Sequence, residues 1–418
     1  GLPPEEVLAR LYSPEELRSD LQFLFEHIEG THPQPYLFIS REDFRAMFDE
    51  AMSLVAHPMS EHEYFRLLAP LVASVGCVHT AIRPSDAFLR ASASLPQFLP
   101  LDIGFFDGKA YVTRNLSKVK AIYPGLQVVS INGEGMEDIL GRLKRAIPAD
   151  AWSESHRMYE INTGFSRLLA LYHGISPGYE LGLVTEDGIH MTFALPALPP
   201  GQFGEAAPPA GSLPYHVEFP GDHASALLRI EGFFAPDWEG YNEFLRKTFA
   251  ELKDSGTRNL ILDIRGNRGG LPFLAAELLT YLADTSFPYF SHPQDGEFAV
   301  LCQPMTPKED RFTGSLYVLA DGGCLSTSGH FLSLIRYHRL GEIIGEDAGS
   351  SFHCNDGSTE LRLPATGIVL NLPRKEFTAA VQGFVKGAPL APDHLVVPGL
   401  QDVLEGRDPQ MDYVLRSI

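Results

Sequence analysis

Two glycine-rich turns hold the residues with the greatest chemical reach. The first, GGCLSTSGHF at 322–331, places Ser326 and Ser328 behind two glycines and ahead of an apolar helix pattern. The second, DIRGNRGG at 263–270, follows the apolar run NLILDI. Glycines let the backbone approach another group closely and turn its N–H groups toward a shared point, where they can cradle an oxyanion or a phosphate. RGNRGG lacks the Lys-Ser/Thr of a phosphate loop and the spacing of a dinucleotide fingerprint, which argues against a nucleotide. Its plain alternative is a strand-to-helix turn. A serine where a helix begins also has two uses. Its hydroxyl can cap the helix, or it can attack a carbonyl while the helix N-terminus and the following N–H stabilise the charge that develops.

A serine nucleophile needs a base within hydrogen-bond reach, because its hydroxyl is weak at its own pKa. Among fifteen histidines, His79 in SVGCVHTAI stands out: it closes a helical region and begins a strand-like run. The alternative for His79 is a structural histidine satisfied by its neighbours. No H-E-x-x-H and no His/Asp cluster with metal spacing occurs, so a metal hydrolase is not indicated. G-x-S-x-G is absent as well, which disfavours an α/β-hydrolase. Cys77, Cys302, Cys324 and Cys354 are scattered without a C-x-x-C pair and read as buried thiols. One disulfide is a further option, between Cys77 and Cys324, each two residues ahead of a member of the candidate pair.

These residues must be positioned by a framework, and the pattern predicts one in parts. Ser13-Pro14-Glu15-Glu16, Ser40-Arg41-Glu42-Asp43 and Ser60-Glu61-His62-Glu63 read as capping boxes, each ahead of an amphipathic run. Residues 1–85 are therefore expected to form a helical region carrying His79. Residues 90–195 change to short alternating runs around the turn signals FDGK, INGEG and EDGI, which predicts a β-rich domain with one or two helices. The stretch 196–214 is rich in Pro, Gly and Ala and reads as a linker or long surface loop. In 215–418 strands alternate with helices (SALLRIEGF, WEGYNEFLRKTFAELKDSG, NLILDI, LPFLAAELLTYLA, SLYVLAD, STSGHFLSLIRYH, EIIGE), which predicts a largely parallel sheet with helices on its faces. Ligands bind such sheets at the carboxyl ends of the strands, where both glycine-rich turns fall.

The 418 residues are enough for two or three domains, and 44% hydrophobic with 21% charged residues is the balance of a folded protein. A net charge of −20 disfavours a nucleic acid or an anionic membrane surface as partner. No apolar run approaches the roughly twenty residues of a membrane helix. The chain opens at GLPPEEVLAR without a methionine or a charged-then-apolar leader, and is expected to be a processed form.

In this order the pieces resemble the C-terminal-processing and tricorn-core serine peptidases. Val78-His79-Thr80 follows the helical start. Gly125-Leu126-Gln127-Val128-Val129-Ser130-Ile131-Asn132-Gly133 is similar to the G-D-x-I-x-x-I-N-G of that family's PDZ-like domain. Asp263 to Gly270 is similar to its D-x-R-x-N-x-G-G, Ile344-Gly345-Glu346 to V-G-E, and Ala391-Pro392-Asp393 to the late P-D. The resemblance implies an α/β fold with a ClpP/crotonase-like core at 215–418, an N-terminal helical bundle and a β-rich PDZ-like domain. It implies Ser326 as nucleophile and His79 as general base, Thr327 with Gly269 or Gly270 as oxyanion donors, and Ser328 as a capping hydroxyl only. It also implies a peptide or protein substrate, no metal or organic cofactor, and export to a periplasm or cell surface. The departures are specific. Asp347-Ala348-Gly349-Ser350-Ser351 lacks the lysine of the processing branch, Gly329 replaces the glutamate of S-x-x-E, and Val385-Lys386-Gly387 stands where the tricorn branch has its orienting glutamate. No third triad member is assigned. Two other functions follow from the same residues: a catalytically impaired member that binds peptides or hydrophobic ligands, and a crotonase-type transferase or isomerase that places an enolate on the paired N–H groups.

Overall fold

The computed structural model of the chain describes residues 2–203, 211–291 and 293–418, so 204–210 of the Pro/Gly/Ala-rich stretch lie outside the described residues. The helical region contains α1 (Pro14–Thr31), α2 (Arg41–Leu54) and α3 (Glu61–Ala73). Ser13 makes a complete capping box with Glu16, whereas Ser40 and Ser60 cap only through their own hydroxyls. Leu17, Leu21, Leu24, Phe44, Phe48, Tyr64, Phe65 and Leu68 bury one face of each helix in a common cluster. After α3 the chain passes His79 and enters the short strand β1 (Ala81–Arg83).

In the β-rich region β2 (Leu101–Phe106), β3 (Lys109–Asn115), β4 (Gln127–Ile131), β5 (Gly178–Val184) and β6 (His190–Pro196) form an antiparallel sheet in that order. Between β4 and β5 run α4 (Met136–Ala146) and α5 (Glu154–Tyr172). The FDGK turn has Asp107 and Gly108 both at positive φ, 50° and 77°, and INGEG repeats this at Asn132 and Gly133. Asx-Gly pairs suit this position because its mirror-image twist matches the strands that it joins.

The core sheet is built from β7 (Tyr215–Glu218), β8 (Ser225–Ile230), β9 (Asn259–Asp263), β10 (Ser315–Ala320), β11 (Glu342–Gly345) and, at the far edge, β16 (His394–Leu395). Only the β7–β8 pair is antiparallel. One face, with Leu228, Leu260, Leu262 and Val318, packs under α6 (Trp238–Asp254), α7 (Pro272–Thr280) and α8 (Thr327–Tyr337). The other, with Ile261, Leu319 and Ile344, is met by Val414 of α9 (Pro409–Ser417). Both faces are covered, which explains why these strands read as continuous apolar runs.

Beyond β11 the chain makes four short strands, β12 (His353–Asp356), β13 (Thr359–Arg362), β14 (Val369–Leu372) and β15 (Lys375–Thr378). β12 pairs with β15, and β14 pairs with both β13 and β1. Leu363, Ile368, Leu370 and Leu372 thereby complete the apolar cluster of the helical region. Buried Asp20 of α1 fastens the same hairpin, accepting from Ala365 N, Thr366 N and Thr366 Oγ1 at 2.7–2.9 Å. The Cys77–Cys324 disulfide considered from the sequence is not formed. Cys77 and Cys324 both remain thiols: the Cys324 thiol donates to Ile264 O at 3.1 Å while Cys77 Sγ faces Asn355 O.

Candidate active site

Ser326 closes the turn between β10 and α8 with φ 54° and ψ −118°. A non-glycine residue in that region carries strain of about 1–3 kcal/mol and persists only where the surroundings hold it. Ser326 occupies the N-cap position, yet its hydroxyl makes no capping bond. Ser328 is not a cap either: its Oγ donates to Asn267 Oδ1 at 2.7 Å, away from the helix end. The expectation of a capping role for Ser328 is thus corrected by the glycine-rich loop packed beside it.

Two side chains bind the glycine-rich turns to each other. Asn267, fully buried, accepts from Gly269 N and Ser328 Oγ, donates to Ile230 O, and receives Leu325 N on its own carbonyl. Asp321 Oδ1 accepts from Gly266 N and Gly323 N, both at 2.9 Å. Burial raises the Asp321 pKa, and these N–H bonds act against that rise. Gly269 lies so close to the serine turn that a Cβ would stand 2.7 Å from Leu325 O and 3.0 Å from Ser326 Cβ. A Cβ on Gly270 would stand 2.2 Å from Phe233 O.

Of the two glycines expected as oxyanion donors, Gly269 has its N–H committed to Asn267 Oδ1 at 2.9 Å. Gly270 bridges Phe233 through the flanking Gly269 O and Leu271 N, and its own N–H finds no acceptor among the described residues. Thr327 N is equally without one, while Thr327 Oγ1 donates to Gly270 O at 2.7 Å and ties the two segments together.

His79 lies in the loop between α3 and β1, its carbonyl held by Asn371 Nδ2 of β14 at 2.6 Å. Its Nε2 pairs with Asp356 Oδ2 at 3.2 Å, and its buried Nδ1 has no partner among the described residues. Among the described residues no hydrogen bond joins His79 to Ser326. The element that connects them is β12: Cys354 and Asp356 are two residues apart and so share a face. Burial holds the Cys354 thiol pKa well above the usual range, and the nearby Ser326 hydroxyl acts weakly against that rise. The same sulfur lies 3.6 Å from Nε2 of His330, one turn along α8. Burial, with lesser contributions from His353 and His79, depresses the His330 pKa to about 3.

Asp356, Asn267 and Cys354 are the residues that reading the sequence missed. Asn267 stood inside the quoted DIRGNRGG motif. Asp356 and Cys354 carried no local signal, since HCND matches no motif and reaches the site only through the β12–β15 pairing. Among the described residues no group of three or more His, Cys, Asp or Glu is arranged to hold a metal ion. Among them, too, no helix is long and apolar enough to cross a membrane.

Residues 225–396 match the family model described as peptidase family S41. No curated protein matches the sequence. Among solved structures, mature CPAF aligns with a TM-score of 0.68 at 13% identity, over 97% of this chain and 96% of that one. Mature CPAF complexed with lactacystin gives 0.67 at 13% identity, over 97% of each chain. A putative peptidase from Parabacteroides merdae gives 0.53 at 13% identity, over 97% and 96%. At such identities the likeness is one of fold, and it extends the mixed α/β architecture well beyond the matched segment. The segment that matches peptidase family S41, residues 225–396, holds both glycine-rich turns.

Proposed function

We propose that the chain is a serine peptidase acting on peptide or protein substrates, with Ser326 as nucleophile and His79 as general base. The observation that carries this reading is Ser326 itself: a strained, uncapped serine at a helix N-terminus, beside two N–H groups without acceptors among the described residues. In the acylation step His79 takes the Ser326 Oγ proton as Oγ adds to the scissile carbonyl. Thr327 N–H and Gly270 N–H hold the oxyanion, and the leaving amine departs with the proton returned from His79. Water, deprotonated by the same imidazole, then releases the acyl group and restores the serine. Asp356 on Nε2 supplies the orienting carboxylate, which leaves Nδ1 as the nitrogen that exchanges protons. Because His79 is here paired with Asp356 and not with Ser326, the reading includes an adjustment of the loop between α3 and β1 that brings Nδ1 to the serine. Such bonds are often long or unmade without substrate.

The absence of a Ser326–His79 bond is also what favours a second reading, a peptide-binding protein of the same architecture that does not cleave. Intact-mass analysis after fluorophosphonate treatment separates the two. One adduct on the wild type, absent in Ser326→Ala, strongly slowed in His79→Ala and retained in Ser328→Ala, is expected of the peptidase. A folded wild type that takes no adduct overturns it in favour of the binding protein.

A further inference from the structure

A cavity of about 260 Å³ opens between the helical region and the core, with Leu37, Phe38, Val75, Trp152, Phe352 and Leu390 in its walls. Sites for drug-sized ligands span roughly 300–1,000 Å³, so this one suits a single large side chain better than a run of peptide. Cys354 and Asn355 of β12 also line it. Ser350 in its wall donates its N–H to Cys324 O at 3.0 Å, so the cavity lies beside the turn that carries Ser326.

Most polar groups around the cavity are engaged with each other. Asp150 accepts from Val78 N at 2.8 Å and Ser350 Oγ at 2.6 Å. His353 meets Gln34 and Glu376, and Lys386 reaches Glu376 at 2.9 Å. Asn355 differs: it is 4% exposed, and among the described residues its Oδ1 has no hydrogen-bond partner. A buried amide left unpaired is costly, and native structures keep few of them. The two ends of a carboxamide are distinguished only by their partners. A hydroxyl serves either end, because it both donates and accepts.

An independent feature points to a ring as occupant. Ala151 and Trp152 both have left-handed backbone, φ 49° and 59°, a strained arrangement for two consecutive residues with side chains. This backbone holds Trp152 at 42% exposure, edge-on to Phe38 with centroids 6.3 Å apart. An indole kept partly in solvent over an apolar hollow is suited to contact an incoming aromatic ring.

We propose that this cavity is the subsite for a tyrosine side chain of the substrate, its ring against Phe38 and Trp152 and its hydroxyl on the Asn355 carboxamide. That the tyrosine belongs to a substrate rests on the peptidase reading; its binding does not. Trp152 is one of two tryptophans, so in a Trp238→Phe, Ser326→Ala background its fluorescence reports occupancy without turnover. N-acetyl-tyrosine amide is expected to bind at least about 10-fold more tightly than N-acetyl-phenylalanine amide, since a site built for a hydroxyl rejects the analogue lacking it. Asn355→Leu is expected to abolish that difference while leaving the phenylalanine amide bound, with Asn355→Ala as the second variant should leucine disturb folding. Equal binding of the two amides to the unsubstituted site, or no saturable fluorescence change with either, overturns the proposal. Tyrosine selectivity without fluorophosphonate labelling would sink the peptidase reading alone, and labelling without selectivity would sink the subsite alone.

Discussion

His79 and Asp356 come from segments 277 positions apart, and their 3.2 Å contact gives the proposed site an acid that the sequence did not indicate. A carboxylate on one imidazole nitrogen fixes the tautomer and stabilises the imidazolium that forms during proton transfer. Asp356→Asn is therefore expected to slow fluorophosphonate labelling on the order of 10³–10⁴-fold. It is also expected to move the labelling pH profile, with partial recovery in Asp356→Glu. A uniform loss that leaves the profile unchanged and that glutamate does not recover would mean that Asp356 serves only to hold β12.

At the scale of elements, the site is two turns locked together at the carboxyl ends of β9 and β10. Asn267 and Asp321 supply the lock, and Gly269 lets the turns touch. Gly269 has φ 94°, and a Cβ there would press on Leu325 O, Ser326 Cβ and Thr327 N together. Gly269→Ala is expected to destabilise the protein by about 1–3 kcal/mol through this backbone strain. It should also displace the Thr327 and Gly270 N–H groups, slowing labelling about 10²-fold or more as in the loss of an oxyanion donor. Denaturant unfolding beside labelling kinetics tests both, and a stable variant that labels normally would show that the close approach is incidental.

The whole molecule closes along a seam of buried, neutral histidines between the helical region and the core. His32 bonds Thr80 Oγ1, His353 bonds Gln34 Oε1, and His330 faces Cys354. Burial is the leading cause that depresses all three, His32 and His353 to about 4 and His330 to about 3. A histidine whose folded pKa lies below its unfolded value of about 6.5 contributes nothing against folding above that pH. Below it the unfolded chain binds more protons, so stability falls progressively as the pH drops toward 4. Glu346 acts in the opposite direction: burial, then Asp321, raise it to about 7, so its contribution is present below its ordinary pKa and lost as pH rises through 7. The midpoint of thermal unfolding is expected to decline from pH 6.5 to 4, and His353→Gln to flatten the decline. A variant with an unchanged slope would place the acid sensitivity elsewhere.

Runs such as NLILDI and SLYVLAD declared themselves because a strand covered on both faces must be apolar throughout, and WEGYNEFLRKTFAELKDSG because its buried Tyr241, Leu245, Phe249 and Leu252 recur at helical spacing. The sequence by itself therefore determined the helical, β-rich and α/β parts, and it singled out the turns that hold Ser326 and Gly270. Strands β12 to β15 stayed hidden, since four residues each are too few to show a period, and their apolar residues serve a cluster begun nearly 350 positions earlier. The tertiary structure alone decided that Gly269 N–H is spent on Asn267, that Ser328 is a brace, and that Asp356 meets His79. Those are pairings across long loops, set by where β12 and β14 dock; a chain's local pattern encodes which residues are buried, but not which distant partner satisfies each polar group once they are.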